Sequence, residues 1–174
     1  MRHRIVHILL TLTWLLPTVV SAEAWSFGAG AFQVEALPGY SYVRGVTPAY
    51  YSGPRGEMAI VSVHVQTASV SAERARSGAM RLVERTRSHF EGAEAKFGTP
   101  AWPIKETALS NGEIRLSSVV QITGKNGPEF LLQFAFISPN ASAAILTIEG
   151  AGEAVSAWER FRAYAESARW QDVR

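Results

Sequence analysis

The chain contains no cysteine, and this absence excludes several kinds of chemistry at once. Disulfide bonds, thiol catalysis and thiolate metal sites are impossible, and so is a lipid anchor on an N-terminal cysteine. Asp172 is the only aspartate. The fold must therefore be stabilised by a hydrophobic core, for which a mature chain of about 150 residues is long enough.

Histidine is also scarce, because two of the four histidines lie in the first 24 residues and only His64 and His89 remain. His64 lies on an alternating segment, "AIVSVHVQ", and general-base catalysis would require an orienting carboxylate that no neighbour in sequence provides. His89 lies near the end of a predicted helix, where the macrodipole favours it without any function. Outside the first 24 residues, no H-x-x-x-H, H-E-x-x-H or D-x-D spacing occurs. The sequence therefore predicts a non-enzymatic protein without metal or cofactor, and a hydrolase using His64 is the enzymatic alternative.

The N-terminus has the pattern of a secretory signal peptide. A basic "MRHR" precedes an apolar run of 16 residues, "IVHILLTLTWLLPTVV", and "SAEA" then places small residues at the cleavage positions. A membrane-spanning helix would need about 20 apolar residues without the internal Pro17. We predict a signal peptide over residues 1–24, cleaved after Ala22 or Ala24, and a soluble periplasmic or secreted bacterial protein with no remaining membrane span.

Charge gives little indication of a nucleic-acid partner. Removal of residues 1–22 takes away Arg2 and Arg4 from the 17 cations, which leaves 15 against 15 acidic residues. A formally neutral mature chain lacks the basic excess typical of nucleic-acid-binding domains.

The hydrophobic pattern predicts a single α+β domain over residues 25–174. Two short strands joined at Pro38-Gly39 precede a loop (44–57), the "AIVSVHVQ" strand and an amphipathic helix that begins near Ser71. A four-strand antiparallel meander follows, with a hairpin at Asn111-Gly112. Its strands "EFLLQFAFIS" and "AAILTIEG" are apolar on both faces and should lie centrally, and a second helix, "GEAVSAWERFRAYAESARW", should cover the second face.

The order of these segments resembles the PsbP-like fold group, which includes the DcrB-type bacterial periplasmic proteins. The similar features are the early "LPGY" turn, "AIVSVHV" leading into a long helix, the meander, and a closing aromatic helix that ends in "SARW". Cystatin-like rolls share part of this pattern, but the early strands and the second helix favour the PsbP-like arrangement. The resemblance implies a non-enzymatic accessory or binding protein and assigns no site residues.

Two groups of residues are candidates for binding a partner. Tyr50 and Tyr51, flanked by Arg44 and Arg55 in the predicted loop, are of the types enriched at binding hot spots, and Trp102 could join them. The alternative is that these aromatic rings pack on the edge of the sheet.

The second group is a basic face of the first helix, which includes Arg74, Arg81 and Arg85. It would suit an acidic protein surface or anionic lipid headgroups, unless it is merely a solvated exterior.

Two binding hypotheses therefore remain. The first is an accessory protein that presents the tyrosine–arginine loop to an envelope protein partner. The second is a small-molecule or lipid-binding module that uses a cleft between the sheet and a helix. An exposed aromatic loop above a closed core would favour the first, whereas an apolar cavity open beneath the first helix would favour the second.

Overall fold

The computed structural model of the protein describes residues 23–45, 47–66, 70–92, 96–97 and 103–171, with side chains described outside 86–97. Eleven strands and two helices are formed there. In chain order they are β1 (Ala24–Phe27), β2 (Phe32–Glu35), β3 (Ser41–Val43), β4 (Ala49–Ser52), β5 (Met58–His64), α1 (Ala72–Gly92), β6 (Lys96–Phe97), β7 (Lys105–Ala108), β8 (Ile114–Gly124), β9 (Gly127–Ile137), β10 (Ala143–Ala151), α2 (Ala154–Glu166) and β11 (Arg169–Trp170).

The main sheet has eight strands in the order β3-β4-β5-β10-β9-β8-β6, with β7 also paired to β8, and every pairing is antiparallel. Strands β7 to β10 form the predicted four-strand meander. The β7–β8 hairpin turns at Asn111-Gly112, where Gly112 has a φ of 82° that suits glycine. Strands β9 and β10, apolar on both faces, lie at the centre of the sheet. The predicted α+β class is confirmed.

The two helices cover opposite faces of this sheet, as predicted. Ala79 and Val83 of α1 pack against one face, in a cluster with Ala135 of β9. Phe161 of α2 packs against the other face, in the larger cluster that includes Phe130. Neither helix, over the residues described, is both long and apolar enough to cross a membrane.

A second, three-stranded sheet in the order β1-β2-β11 was not predicted. The N-terminal segment contains two turns rather than one, because the chain reverses between Phe27 and Phe32 as well as at Pro38. Gly28, with a φ of 58°, belongs to the first turn. Strand β1 begins at Ala24, inside the segment predicted to be outside the fold, and the carbonyl of Glu23 accepts a 2.7 Å hydrogen bond from the Ala36 amide.

The prediction of a loop over residues 44–57 is wrong in its centre. Ala49–Ser52 is strand β4, which pairs with β3 on one side and β5 on the other. The cause is pairing: the adjacent strands supply hydrogen-bond partners to a segment whose own glycines and prolines indicate no strand. The two tyrosines of this segment are therefore held by the sheet.

A buried ion pair ties the start of β5 to α2. Glu57 is 3% exposed, and its Oε1 lies 2.8 Å from Nη2 of Arg160. The Arg160 guanidinium also stacks over the Phe161 ring at 4.2 Å. Burial, and secondarily the negative charge of Glu57, raises the pKa of Tyr40 to about 12. This cluster is a structural link between the sheet and α2.

Candidate ligand-binding cleft

An open cleft of about 300 Å³ lies between the N-terminal half of α1 and strands β5 and β10. The helix begins at a Ser71 cap, whose Oγ accepts a 3.3 Å hydrogen bond from the Arg74 amide. On the helix side the cleft is lined by three small residues (Ala75, Gly78 and Ala79) between Arg74 and Leu82, and the sheet side includes Ser62, Ala143 and Ile145. Because these side chains are small, the space between helix and sheet is not filled.

Gly78 has no packing reason to be glycine. It lies inside α1, where glycine costs about 1 kcal/mol of helix stability relative to alanine. A Cβ added at this position would meet no atom within 4 Å, so no close approach of the sheet requires glycine here. The absence of a side chain at Gly78 leaves the cleft open.

The rim of the cleft is polar and basic. His64 is exposed at the end of β5, and its Nε2 lies 3.2 Å from Oε1 of Gln66. The backbone amide of Gln66 donates a 3.0 Å hydrogen bond to Ser142 Oγ, which fixes this corner of the rim. Arg74 lies on the opposite side, and none of the described residues that line the cleft is acidic. The cleft therefore combines an apolar interior with a rim that favours an anion.

His64 does not form the constellation that a hydrolase would need. Its ring bonds to the neutral amide of Gln66, and no carboxylate orients it among the described lining residues. In the part of the chain that the structure describes, no group of three or more histidine or acidic side chains could hold a metal ion.

The predicted basic face of α1 is present in the structure, and part of its positive charge is neutralised by acidic side chains. Arg76 donates to Glu106 of β7, with Nη2–Oε2 at 2.6 Å, and this hydrogen bond lowers the pKa of the Glu106 carboxyl. Arg74, Arg81 and Arg85 form no ion pair with any described residue.

The predicted partner-binding tyrosines are held within the fold. Tyr51 is 9% exposed and stacks on Trp25 of the small sheet at 3.8 Å between ring centroids. The Tyr50 hydroxyl contacts the sulfur of Met58 on the neighbouring strand. Arg55 Nε lies 3.3 Å from Glu57, whereas Arg44 is exposed. The structure does not assemble these four residues into one surface patch.

Trp102, the fifth predicted partner-binding residue, lies outside the described residues. The alanines and Gly78 that line the cleft were not among the predicted binding residues. The available signal was a glycine in the middle of a predicted helix, which normally has a packing or functional reason.

A second cleft, also about 300 Å³, lies on the other face between α2 and strands β7 and β8. Two of its cations are already paired, Arg115 with Glu113 at 2.8 Å and Arg162 with Glu159 at 3.1 Å. Its rim is therefore less free to bind an anion than the rim of the α1 cleft.

Comparison with known proteins identifies the fold. No family profile matches the sequence, and no curated protein sequence matches it. The structure is similar to the solution structure of a cyanobacterial PsbP (CyanoP) from Synechocystis, with a TM-score of 0.60 and coverage of 90% of this chain and 97% of that chain. The chain has a PsbP-like fold. Because only 11% of the residues are identical, this likeness shows the fold alone. The DcrB-type resemblance stays a prediction.

Proposed function

We propose that the protein is an exported, non-catalytic binding protein for a small aliphatic molecule that carries an anionic group. The observation that carries this proposal is the open cleft under α1, kept free by Gly78. Docking to an envelope protein through the tyrosine–arginine loop is the weaker alternative, because Tyr51 is buried and Tyr50 is held against the sheet.

The residue types of the cleft indicate the class of ligand. Alanine, isoleucine and glycine offer aliphatic surface, and no phenylalanine, tyrosine or tryptophan is among the described lining residues. A volume of about 300 Å³ is at the lower end of ligand pockets, which suits a short acyl chain. Arg74 and His64 at the rim would hold the anionic end, since a guanidinium is a strong donor to carboxylates.

We expect Gly78→Leu to abolish binding of octanoate, a short-chain carboxylate that serves as the probe, with at least a tenfold loss of affinity. The leucine side chain would occupy the empty space, while replacement of a helical glycine should leave stability unchanged or raise it by up to about 1 kcal/mol. Titration calorimetry measures the affinity, and thermal unfolding checks the fold. Ala163→Leu is the control, because it adds the same side chain to an exposed position of α2.

Octanol, the neutral analogue of the same chain length, tests the role of the rim. Arg74→Gln should weaken octanoate and leave octanol nearly unchanged. Failure of the wild-type protein to bind octanoate, or equal binding by Gly78→Leu, would contradict the proposed site.

Export gives a separate expectation about the mature N-terminus. Cleavage after Ala22 would keep the Glu23 carbonyl that accepts the Ala36 amide and the whole of β1, whereas cleavage after Ala24 would remove both that carbonyl and the first residue of the strand. We expect mass spectrometry of the protein from the bacterial envelope to find Glu23 as the first residue. Retention of residues 1–22 on the purified protein would contradict export by cleavage.

A further inference from the structure

Three arginines of α1 have no ion pair among the described residues and share one face of the helix. Arg74, Arg81 and Arg85 are separated by seven and four residues, so they lie along one face of α1. Arg74, at one end of this arginine row, lines the cleft, and Arg81 and Arg85 continue the same helix face beyond it. The row of arginines without an ion pair among the described residues therefore begins at the entrance of the cleft.

The acidic residues of the same helix lie elsewhere. Glu73 and Glu84 are eleven residues apart, close to three helical turns, and so share a face of their own. Each is the neighbour in sequence of an arginine of the row, which turns it about 100° away around the helix axis. Glu73 is also engaged by Arg76, at 3.0 Å. Because the acidic residues of α1 lie on a different face, the face with the arginine row carries positive charge only.

Exposed apolar side chains accompany this row. Leu82 of α1 is 45% exposed and lines the cleft, and Val65, just after β5, is 38% exposed. The only other large hydrophobic residues exposed to this degree among those described are Tyr42 and Val155. An apolar side chain surrounded by arginines is the combination found on surfaces that lie in the interface of an anionic bilayer.

We propose that the arginine row and Leu82 dock the mouth of the cleft onto anionic phospholipid headgroups, so that the ligand enters from a membrane. The inference rests on the proposed function for the direction of ligand entry, but the docking itself does not depend on it. Each arginine near an anionic surface contributes about a fivefold gain in membrane affinity. Leu82 would add an apolar contact just below the headgroups.

Flotation with vesicles tests the docking. Wild-type protein should bind vesicles of phosphatidylglycerol mixed with phosphatidylcholine, bind pure phosphatidylcholine weakly, and dissociate as salt is raised. The Arg81→Gln, Arg85→Gln double variant should lose about 25-fold in affinity, from about fivefold for each arginine. The control, Arg162→Gln with Arg169→Gln, removes the same charge from exposed positions outside α1 and should bind as wild type.

The outcomes separate this inference from the proposed function. The Gly78→Leu variant should no longer bind octanoate but should still bind vesicles. The Arg81→Gln, Arg85→Gln double variant should bind vesicles more weakly and octanoate as well as wild type does. Equal binding to neutral and anionic vesicles, an equal loss in the control, or no binding to either vesicle would overturn the docking. So would a salt-sensitive dimer in sedimentation that the double variant disperses without any vesicle binding, because the row would then be a contact between copies.

Discussion

Replacement of Arg160 by methionine is expected to lower the free energy of unfolding by about 3 kcal/mol. The change keeps an apolar side chain against Phe161 but leaves the Glu57 carboxylate, 3% exposed, without its 2.8 Å partner. An unpaired buried charge is costly, because burial removes water that would otherwise solvate it. Arg55 still lies 3.3 Å from Glu57, which keeps the expected loss at the lower end for a buried pair.

Urea unfolding at neutral pH measures this loss, with Arg162→Met as the matched control on the same helix. Arg162 forms an exposed pair with Glu159, for which a loss below about 0.5 kcal/mol is expected. In a Glu57→Gln background, Arg160→Met should cost much less, since no buried charge is left behind. Equal costs in the two backgrounds would show that Arg160 acts through its packing on Phe161 and not through Glu57.

The elements that the sequence predicted correctly are those with a strong local signal. Strands β9 and β10 are apolar on both faces and were placed centrally for that reason, and the Asn111-Gly112 dipeptide marked the β7–β8 turn. The Ser71 cap marked the start of α1. In each case the residues themselves encode the burial or the backbone geometry, so tertiary structure only had to agree with them.

The errors lie where pairing partners are distant in the chain. Strand β11 has two residues and exists because it pairs with Gln33 and Phe32 of β2. From its sequence neighbours Glu57 would be a polar loop residue, but it forms an ion pair with Arg160, more than a hundred residues later in the chain. The side-chain oxygen of Gln121, on β8, accepts a hydrogen bond from the backbone amide of Ala154 at the start of α2, and no local pattern in the sequence indicates this contact. Such contacts depend on how the layers meet, and a single sequence does not contain that geometry.

In the candidate site, too, features with a local sequence signal were predicted and features that depend on distant contacts were not. The arginines of α1 were predicted because charge on a helix face can be read from spacing. A cleft beneath the first helix was one of two binding hypotheses, but neither its presence nor its lining residues could be predicted, since its volume depends on the distance between α1 and the sheet. Gly78 could have indicated the lining, because a glycine inside a helix costs stability and no contact in the structure requires one here.

The other large effect concerns Tyr51, and it separates a structural role from a docking role. Tyr51→Ala is expected to lower the free energy of unfolding by about 3 kcal/mol, because it removes a buried ring that stacks on Trp25 and is 6.3 Å from Phe27. Trp25 and Phe27 belong to the small sheet, whereas the third ring beside Tyr51, that of Tyr42 at 5.4 Å, lies on β3 of the main sheet. Loss of the Tyr51 ring should therefore loosen the attachment of that sheet to the main one.

Tyr42 provides the matched control, because it is the cross-strand partner of Tyr51 on β3 and is 52% exposed. Tyr42→Ala should cost less than about 1 kcal/mol, since most of its ring is already in water. Urea unfolding compares the two variants, and hydrogen exchange of the β1 and β2 amides should increase in Tyr51→Ala alone. If Tyr51→Ala were as stable as wild type but lost a protein partner in the cell envelope, the docking hypothesis would regain its surface, and the buried stack on Trp25 would not be the main role of this tyrosine.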